Sequence, residues 1–529
     1  MSKKSKALII SLVITIMLLP LISCSQNNTP SEPVTIRLAA PQSPYIQDFD
    51  TNMYKLWLEE QTGLNIEITW LPLKDAEAIA RQQLEDGVDL PDAYIGFSNY
   101  DLFSYSNIQA LGERGVIISL NDLIEKYGTH TKELWRELDE YGIERYMKSA
   151  DGNFYFMPGF SSSTITRFRQ VMWLNTGWLS DLNLRTPTTT DEFRSMLLTF
   201  KEKYPGCIPM AGTEDHNSKQ PYDFLFNAFI YNDIRNARML LTNGVVGFAP
   251  VRDEWRDALI YMRGLYDDGL YSPLSFVQDN QQMMQMANDP DDVLGAFVSP
   301  GITLTVYQNS PEILERYIGI GPLKGPEGVQ YTTVFSPLVR AAGVITKACQ
   351  HPEEVFKLFD LMLSEEASLM GRYGEYGVDW EFAAAGEISI YGTPATIRII
   401  NQIWNTPQNK HISQIGPYVS RPKFSGGVTW DGNTTDGEYM NAQASLLHRD
   451  FEPDEYIVTL IFYPEEELGI KQIRSDISAY VNQTIIEFIT GVRDIYDDKE
   501  WARYLRKYQE LGLDEMLKTA QTAINRQGS

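Results

Sequence analysis

The chain has 529 residues, 70 of them acidic and 45 basic, and a formal charge of −25 at pH 7. So acidic a surface repels phosphate backbones, which excludes nucleic acid as a partner. Hydrophobic residues make up 43%, enough for a sizeable core in one large or two to three ordinary domains.

At the start, Lys3, Lys4 and Lys6 precede an almost wholly apolar run from Ala7 to Ile22, which Leu21-Ile22-Ser23-Cys24 closes. Composition then turns polar through Pro33. This is the order of an export signal. A small residue directly before a cysteine, with branched apolar residues upstream, resembles a bacterial lipobox. That implies removal of residues 1–23, lipid on the Cys24 thiol and a flexible linker over 24–33. An ordinary signal peptide or an uncleaved anchor is the competing reading. Two or more acyl chains, at ~0.8 kcal/mol per buried methylene, hold a protein stably at a membrane. The expected location is the extracellular face of the cell membrane. No later apolar stretch approaches the ~20 residues of a spanning helix.

Val34 to Ala39 reads as a strand, 48–61 as a helix stopped by Gly63, and Asn65 to Leu71 as an alternating strand. A helix over 75–86 and a strand over Asp92 to Phe97 follow. Strand, helix, strand, helix, strand predicts right-handed crossovers and a parallel sheet, with ligands beyond the carboxyl ends of its strands. Further strands are expected at Gln170 to Asn175 and Leu294 to Val298, and a Thr-capped helix opens at 187–193. Pro352 starts a helix over 352–363. Residues 391–450 are rich in Gly, Pro, Asn and Thr and read as irregular. The end is helical, with Ile477, Val481, Ile485 and Phe488 on one stripe, and Asp497 to Glu500 resembling a capping box.

Catalytic and metal motifs are missing. The five histidines stand at no metal-ligand spacing, and no G-x-S-x-G elbow or phosphate loop occurs. Asp431 to Gly437 comes near a calcium loop, but its glycine falls one place late and Ala442 stands where a bidentate Glu is needed. No cofactor, metal or catalytic residue is expected. Cys207 and Cys349 are either two thiols or a disulfide. Arg167, Arg169 and Arg421 could form a local basic patch.

Aromatics are 12% of the chain. Several lie in predicted loops rather than on helical stripes: Tyr45, Phe97, Tyr100, Tyr105, Phe160, Tyr222, Trp404 and Trp430. A flat ring presents its face to the axial C–H groups of a sugar, and neighbouring amides bond its hydroxyls. At ~1 kcal/mol per ring beyond buried area, several rings with a polar shell suffice for micromolar binding, about −8 kcal/mol.

Three further stretches carry a family resemblance: Trp173 to Thr189, Ser364 to Ser368 followed by Tyr373 to Trp380, and Phe488 to Arg493 running into Leu511 to Glu515. With the lipobox, the chain resembles the extracellular solute-binding lipoproteins of bacterial carbohydrate ABC importers, in the long subgroup of Gram-positive bacteria. The resemblance implies an α/β periplasmic-binding-protein type II fold, with two hinged lobes and a cleft between them. It places 34–167 plus 338–380 in an N-terminal lobe and 168–337 plus 381–529 in a C-terminal lobe. It implies sugar contacts at Phe97, Asn99 and Tyr100 after the third strand, at Tyr222, at Phe297, and at Trp404 or Trp430. The Asp/Asn-rich calcium loop of many subgroup members is replaced here by Lys201 to Pro209. The implied function is capture of an oligosaccharide and its delivery to membrane permease subunits by a monomer. A surface-anchored glycoside-active enzyme and a sugar-sensing receptor are the alternatives.

Overall fold

The computed structural model describes residues 33–98, 100–214, 220–335, 338–404, 406–412 and 415–528. Cys24, Asn99 and the linker up to residue 32 lie outside them. Nine strands build two sheets: β1 (Thr35–Pro41), β2 (Asn65–Leu71), β3 (Ala93–Ile95), β4 (Met157–Ser161), β5 (Val171–Asn175), β6 (Ala296–Ser299), β7 (Tyr317–Ile320), β8 (Leu338–Ile345) and β9 (Tyr418–Ser420). The first sheet has the order β9-β4-β8-β3-β1-β2, the second β6-β5-β7.

The parallel core of the first sheet follows from the alternation. β1 pairs in parallel with both β2 and β3, with the Met53–Thr62 and Ala76–Asp86 helices as crossovers. The first helix begins at Met53 because Asn52 caps it, its Oδ1 accepting from Tyr54 N at 3.1 Å and Lys55 N at 3.2 Å. Return strand β8 runs antiparallel between β3 and β4.

In the second sheet β5 is antiparallel to both neighbours. All five of its residues are buried, and the two-residue period of a strand divides them. Met172 and Leu174 enter one core, with the Pro464–Thr490 and Asp253–Asp267 helices behind it. Val171 and Trp173 enter another, shared with Phe297, Tyr317 and Ala444. The two sheets thus have separate cores, and the chain passes between them three times: after β4, between β7 and β8, and after β9.

The capping signals hold where they were strongest. Thr189 Oγ1 accepts from Glu192 N at 3.2 Å, and Pro352 occupies the first turn of its helix. Asp497 caps its helix through Lys499 N at 2.8 Å, without the reciprocal Glu500 bond of a box. Residues 391–450 depart from the irregular reading. They hold β9 and a helix, Gly437–Leu446, whose Asp436 cap accepts from Tyr439 N at 2.8 Å. β9 also departs from the expected lobe boundary at 380. It bonds in parallel to β4 and extends the first sheet. Cys207 and Cys349 are free thiols. Among the described residues no helix is long and apolar enough to cross a membrane, and no group of three or more His, Cys, Asp or Glu could hold a metal.

His448 locks the Gly437–Leu446 helix to the second sheet. Its Nε2 donates to Ile320 O at 3.1 Å; because burial keeps the ring neutral near pH 7, Nδ1 accepts from Thr332 Oγ1 at 2.8 Å. Burial pulls its pKa down to about 4. The unfolded imidazole, near ~6.5, takes its proton first as pH falls. Stability from His448 is therefore complete above about pH 6.5 and is lost as pH falls towards 4. His411, also held down to about 4 by burial, acts in the same direction. Thermal unfolding at stepped pH is expected to show a melting temperature that drops through this window. His448→Gln is expected to make the drop shallower; an unchanged slope would remove His448 as its source.

Candidate ligand-binding site

A cavity of 250 Å³ lies where the two sheets' elements meet. From the first sheet's side come Arg372 and Tyr373, at the end of the Glu365–Tyr373 helix, and Tyr418 on β9. From the second comes Glu438, in the first turn of the Gly437–Leu446 helix, which packs on β7 and on the crossing helix Thr164–Arg167. Tyr391, Gln402 and Trp404 complete one wall. A more open crevice of 590 Å³, lined by Arg145, Arg167, Glu452 and Tyr456, adjoins it through Ser163 and Ser425.

Two glycines permit this arrangement. A side chain at Gly159 in β4 would come within 2.8 Å of the Tyr418 ring, so only glycine lets that ring lie across the strand. Gly374 ends the Arg372 helix at φ +88°, and a Cβ there would stand 2.5 Å from Asp379 Oδ2. Asp379 is 1% exposed. Its carboxylate accepts from Glu375 N at 2.9 Å and from Lys410 Nζ at 2.6 Å, and its carbonyl accepts from Ile400 N at 2.8 Å and Asn401 N at 3.0 Å. Asp379 therefore grips both ends of the segment that carries Trp404.

Trp404 is not a bare platform. The Arg372 Cζ stands 3.7 Å from its ring centroid, and His411 stacks on it at 5.4 Å and 18°. The indole holds the guanidinium in place. Arg372 Nη1 is buried without a hydrogen-bond partner among the described residues. Burial pulls the guanidinium below its ordinary pKa, opposed by Tyr373 and Glu438. Burial pushes the Glu438 carboxyl up, opposed by Arg372 and helped by Asp436. Burial likewise lifts the Tyr373 hydroxyl to about 12.

Of the aromatic candidates, the cavity gathers Trp404 alone. Four need correction. Phe97, at 1% exposure, packs against Tyr94 and Phe103 in the first core. Phe160, at 0%, faces that same core beside Tyr141. Tyr222 is enclosed in the second lobe with Phe226, and its hydroxyl is pushed up by burial. Phe297 takes the Trp173 side of β6 and meets Tyr317. Each ring is buried in packing against its core. Tyr45, Tyr100 and Trp430 are half-buried and stand outside the cavity lining. Tyr45 joins the Trp404 segment through its carbonyl, which accepts from Gln408 N at 3.0 Å. Tyr100 lies 5.3 Å from Phe97, and Trp430 stacks flat on Tyr439 at 4.5 Å.

The expected basic patch also dissolves. Arg167 binds Glu452 through Nε at 2.8 Å and also bonds Tyr456, while Arg421 is saturated by Glu137, Ser368 and the Leu363 carbonyl. Arg169 lies over Phe335. The charged groups that line the cavity are instead Arg372 and Glu438, which the sequence reading missed. One signal was available: Arg372 immediately precedes the Tyr373-to-Trp380 stretch that carries the family resemblance.

The sequence profile described as bacterial extracellular solute-binding protein matches residues 40–368. The chain is 25% identical over 555 aligned positions to the fructooligosaccharide ABC transporter substrate-binding protein FusA of Streptococcus pneumoniae serotype 4 (strain ATCC BAA-334 / TIGR4), covering 96% of each chain. It is 24% identical to the lipoprotein LipO of Bacillus subtilis (strain 168), over 68% of this chain and 70% of that one. Among solved structures, the S. pneumoniae FusA complex with kestose superposes with a TM-score of 0.71 at 22% identity, covering 93% of this chain and 99% of that one. An extracellular solute-binding protein from Bifidobacterium longum subsp. infantis does so with 0.76 at 17% identity, covering 94% and 99%. These structures share the two-lobed periplasmic-binding-protein fold.

Asp379→Ala is expected to cost about 2 kcal/mol in urea unfolding, because Lys410 and the part-buried Glu375 amide lose their acceptor. It should also shift Trp404 emission to the red, seen as the difference from Trp404→Phe. Unchanged stability and emission would mean that the Trp404 segment is held by other contacts.

Proposed function

The chain belongs to the bacterial extracellular solute-binding protein family, and from that membership we propose that it captures an oligosaccharide between its lobes and hands it, unaltered, to the membrane subunits of an ABC importer. One observation carries this reading. The cavity takes its two charged groups from elements of different sheets, Arg372 from a helix packed on the first sheet and Glu438 from a helix packed on the second. A ligand touching both stabilises the closed form more than the open one, which is what a capture protein requires. The adjoining crevice offers the length that a chain of sugars needs.

In this reading one lobe comprises 34–167 and 338–380 with the β9 region added, and the other comprises 168–337 with most of 381–529. Trp404 acts through Arg372. Tyr45, Tyr100 and Trp430 are half-buried and serve as outlying contacts, and Asn99 is counted with them. The protein works as a monomer without cofactor or catalytic group. The Cys24 lipid tethers it to the outer face of the membrane. The FusA relative, named for fructooligosaccharides, and LipO, named as a lipoprotein, support the ligand class and the anchor.

Calorimetry against kestose and other neutral oligosaccharides is expected to show binding that Trp404→Ala weakens at least tenfold, about 1.4 kcal/mol. Chromatography should recover the sugar intact; shorter products would establish an enzyme instead. Cys24→Ser is expected to move the protein from the membrane fraction to the medium, and its retention on membranes would refute the lipid anchor.

A further inference from the structure

We infer that Arg372 and Glu438 form a cross-lobe polar clamp that selects an uncharged saccharide with adjacent hydroxyls over one bearing a carboxylate. This rests on the capture reading above and gives that site its ligand class. Among the described residues lining the cavity, these two alone carry formal charge, and the charges cancel. The remaining polar lining, such as Tyr391, Tyr418 and Gln402, is neutral. Arg340 acts on the Tyr418 hydroxyl from beyond the lining.

The two groups influence each other through space, without a hydrogen bond between them. Arg372 also bonds Tyr373, and its Nη1 and the Glu438 carboxylate keep hydrogen-bonding capacity for something placed between. A guanidinium presents a planar fork of N–H donors, which suits two neighbouring oxygens; a carboxylate accepts from hydroxyls. Trp404, 3.7 Å from Arg372 Cζ, holds the fork in one plane, and Nη1 has no partner among the described residues. A vicinal diol supplies acceptors to the one and a donor to the other. A ligand carboxylate would satisfy Arg372 but meet Glu438 as a like charge in a dry site, where repulsion is strong. Glu438 therefore rejects acidic sugars as well as holding neutral ones.

The test is calorimetry with four neutral trisaccharides (kestose, maltotriose, xylotriose and cellotriose) and with trigalacturonate. It uses wild type, Arg372→Met and Glu438→Gln, each shown to be folded by circular dichroism. Wild type is expected to bind at least one neutral probe ten or more times tighter than trigalacturonate. Glu438→Gln should weaken that neutral ligand about tenfold while improving trigalacturonate. Arg372→Met should weaken both, and it tests the clamp alone should Glu438→Gln fail to fold. A wild-type preference for trigalacturonate would overturn the clamp while leaving capture of a saccharide intact. So would neutral affinity unmoved by either substitution. No binding of any probe by wild type would count against the capture reading itself, and the clamp would fall with it.

Discussion

Everything about this site depends on one constraint: two sheets with separate cores are joined by a chain that crosses between them three times. Each sheet absorbs the apolar residues within its reach. Side chains at the crossings can enter neither core fully. Polar and charged groups collect there, and neighbouring rings shield them from water without neutralising them. Glu438, after the third crossing, and Arg372, on a helix beside the first sheet, meet there, charges withdrawn from solvent but not from each other's influence.

That arrangement is costly for the empty protein. A buried charge short of hydrogen-bond partners destabilises, and in the capture reading proposed above a ligand would supply the missing bonds. The scaffold around the pair is correspondingly stiff. Asp379 fixes both ends of the segment bearing Trp404, Gly374 lets that carboxylate approach, and the indole sets the guanidinium plane. Few of these residues would touch a ligand. They decide where the residues that do touch it stand.

The aromatic surplus shows how local sequence misleads. Phe97 and Phe160 each sit between Gly and Ser, and Tyr222 and Phe297 stand where the family resemblance implied sugar contacts, yet all four are core. A large ring gains more from burial than from a half-wet loop, so nearby cores claim it. Trp404 lies on a segment gripped at both ends by Asp379, with a guanidinium and an imidazole for neighbours, and it stays at the cavity.

Much of the fold was legible in the chain. The period-two and helical patterns of residues 34–97 determined a parallel β-α-β-α-β unit, and Asn52, Thr189 and Pro352 marked helix starts because caps are local hydrogen bonds. The stretch 391–450 was not legible. Its helix Gly437–Leu446 is held by small residues such as Ala444 against β7, and β9 is held by β4, more than 250 positions away. The site was legible only in Trp404. A charged residue looks solvated unless its surroundings are known, and those of Arg372 and Glu438 come from distant segments. Local pattern therefore determined the elements, while the pairing of lobes decided which polar groups lost their water.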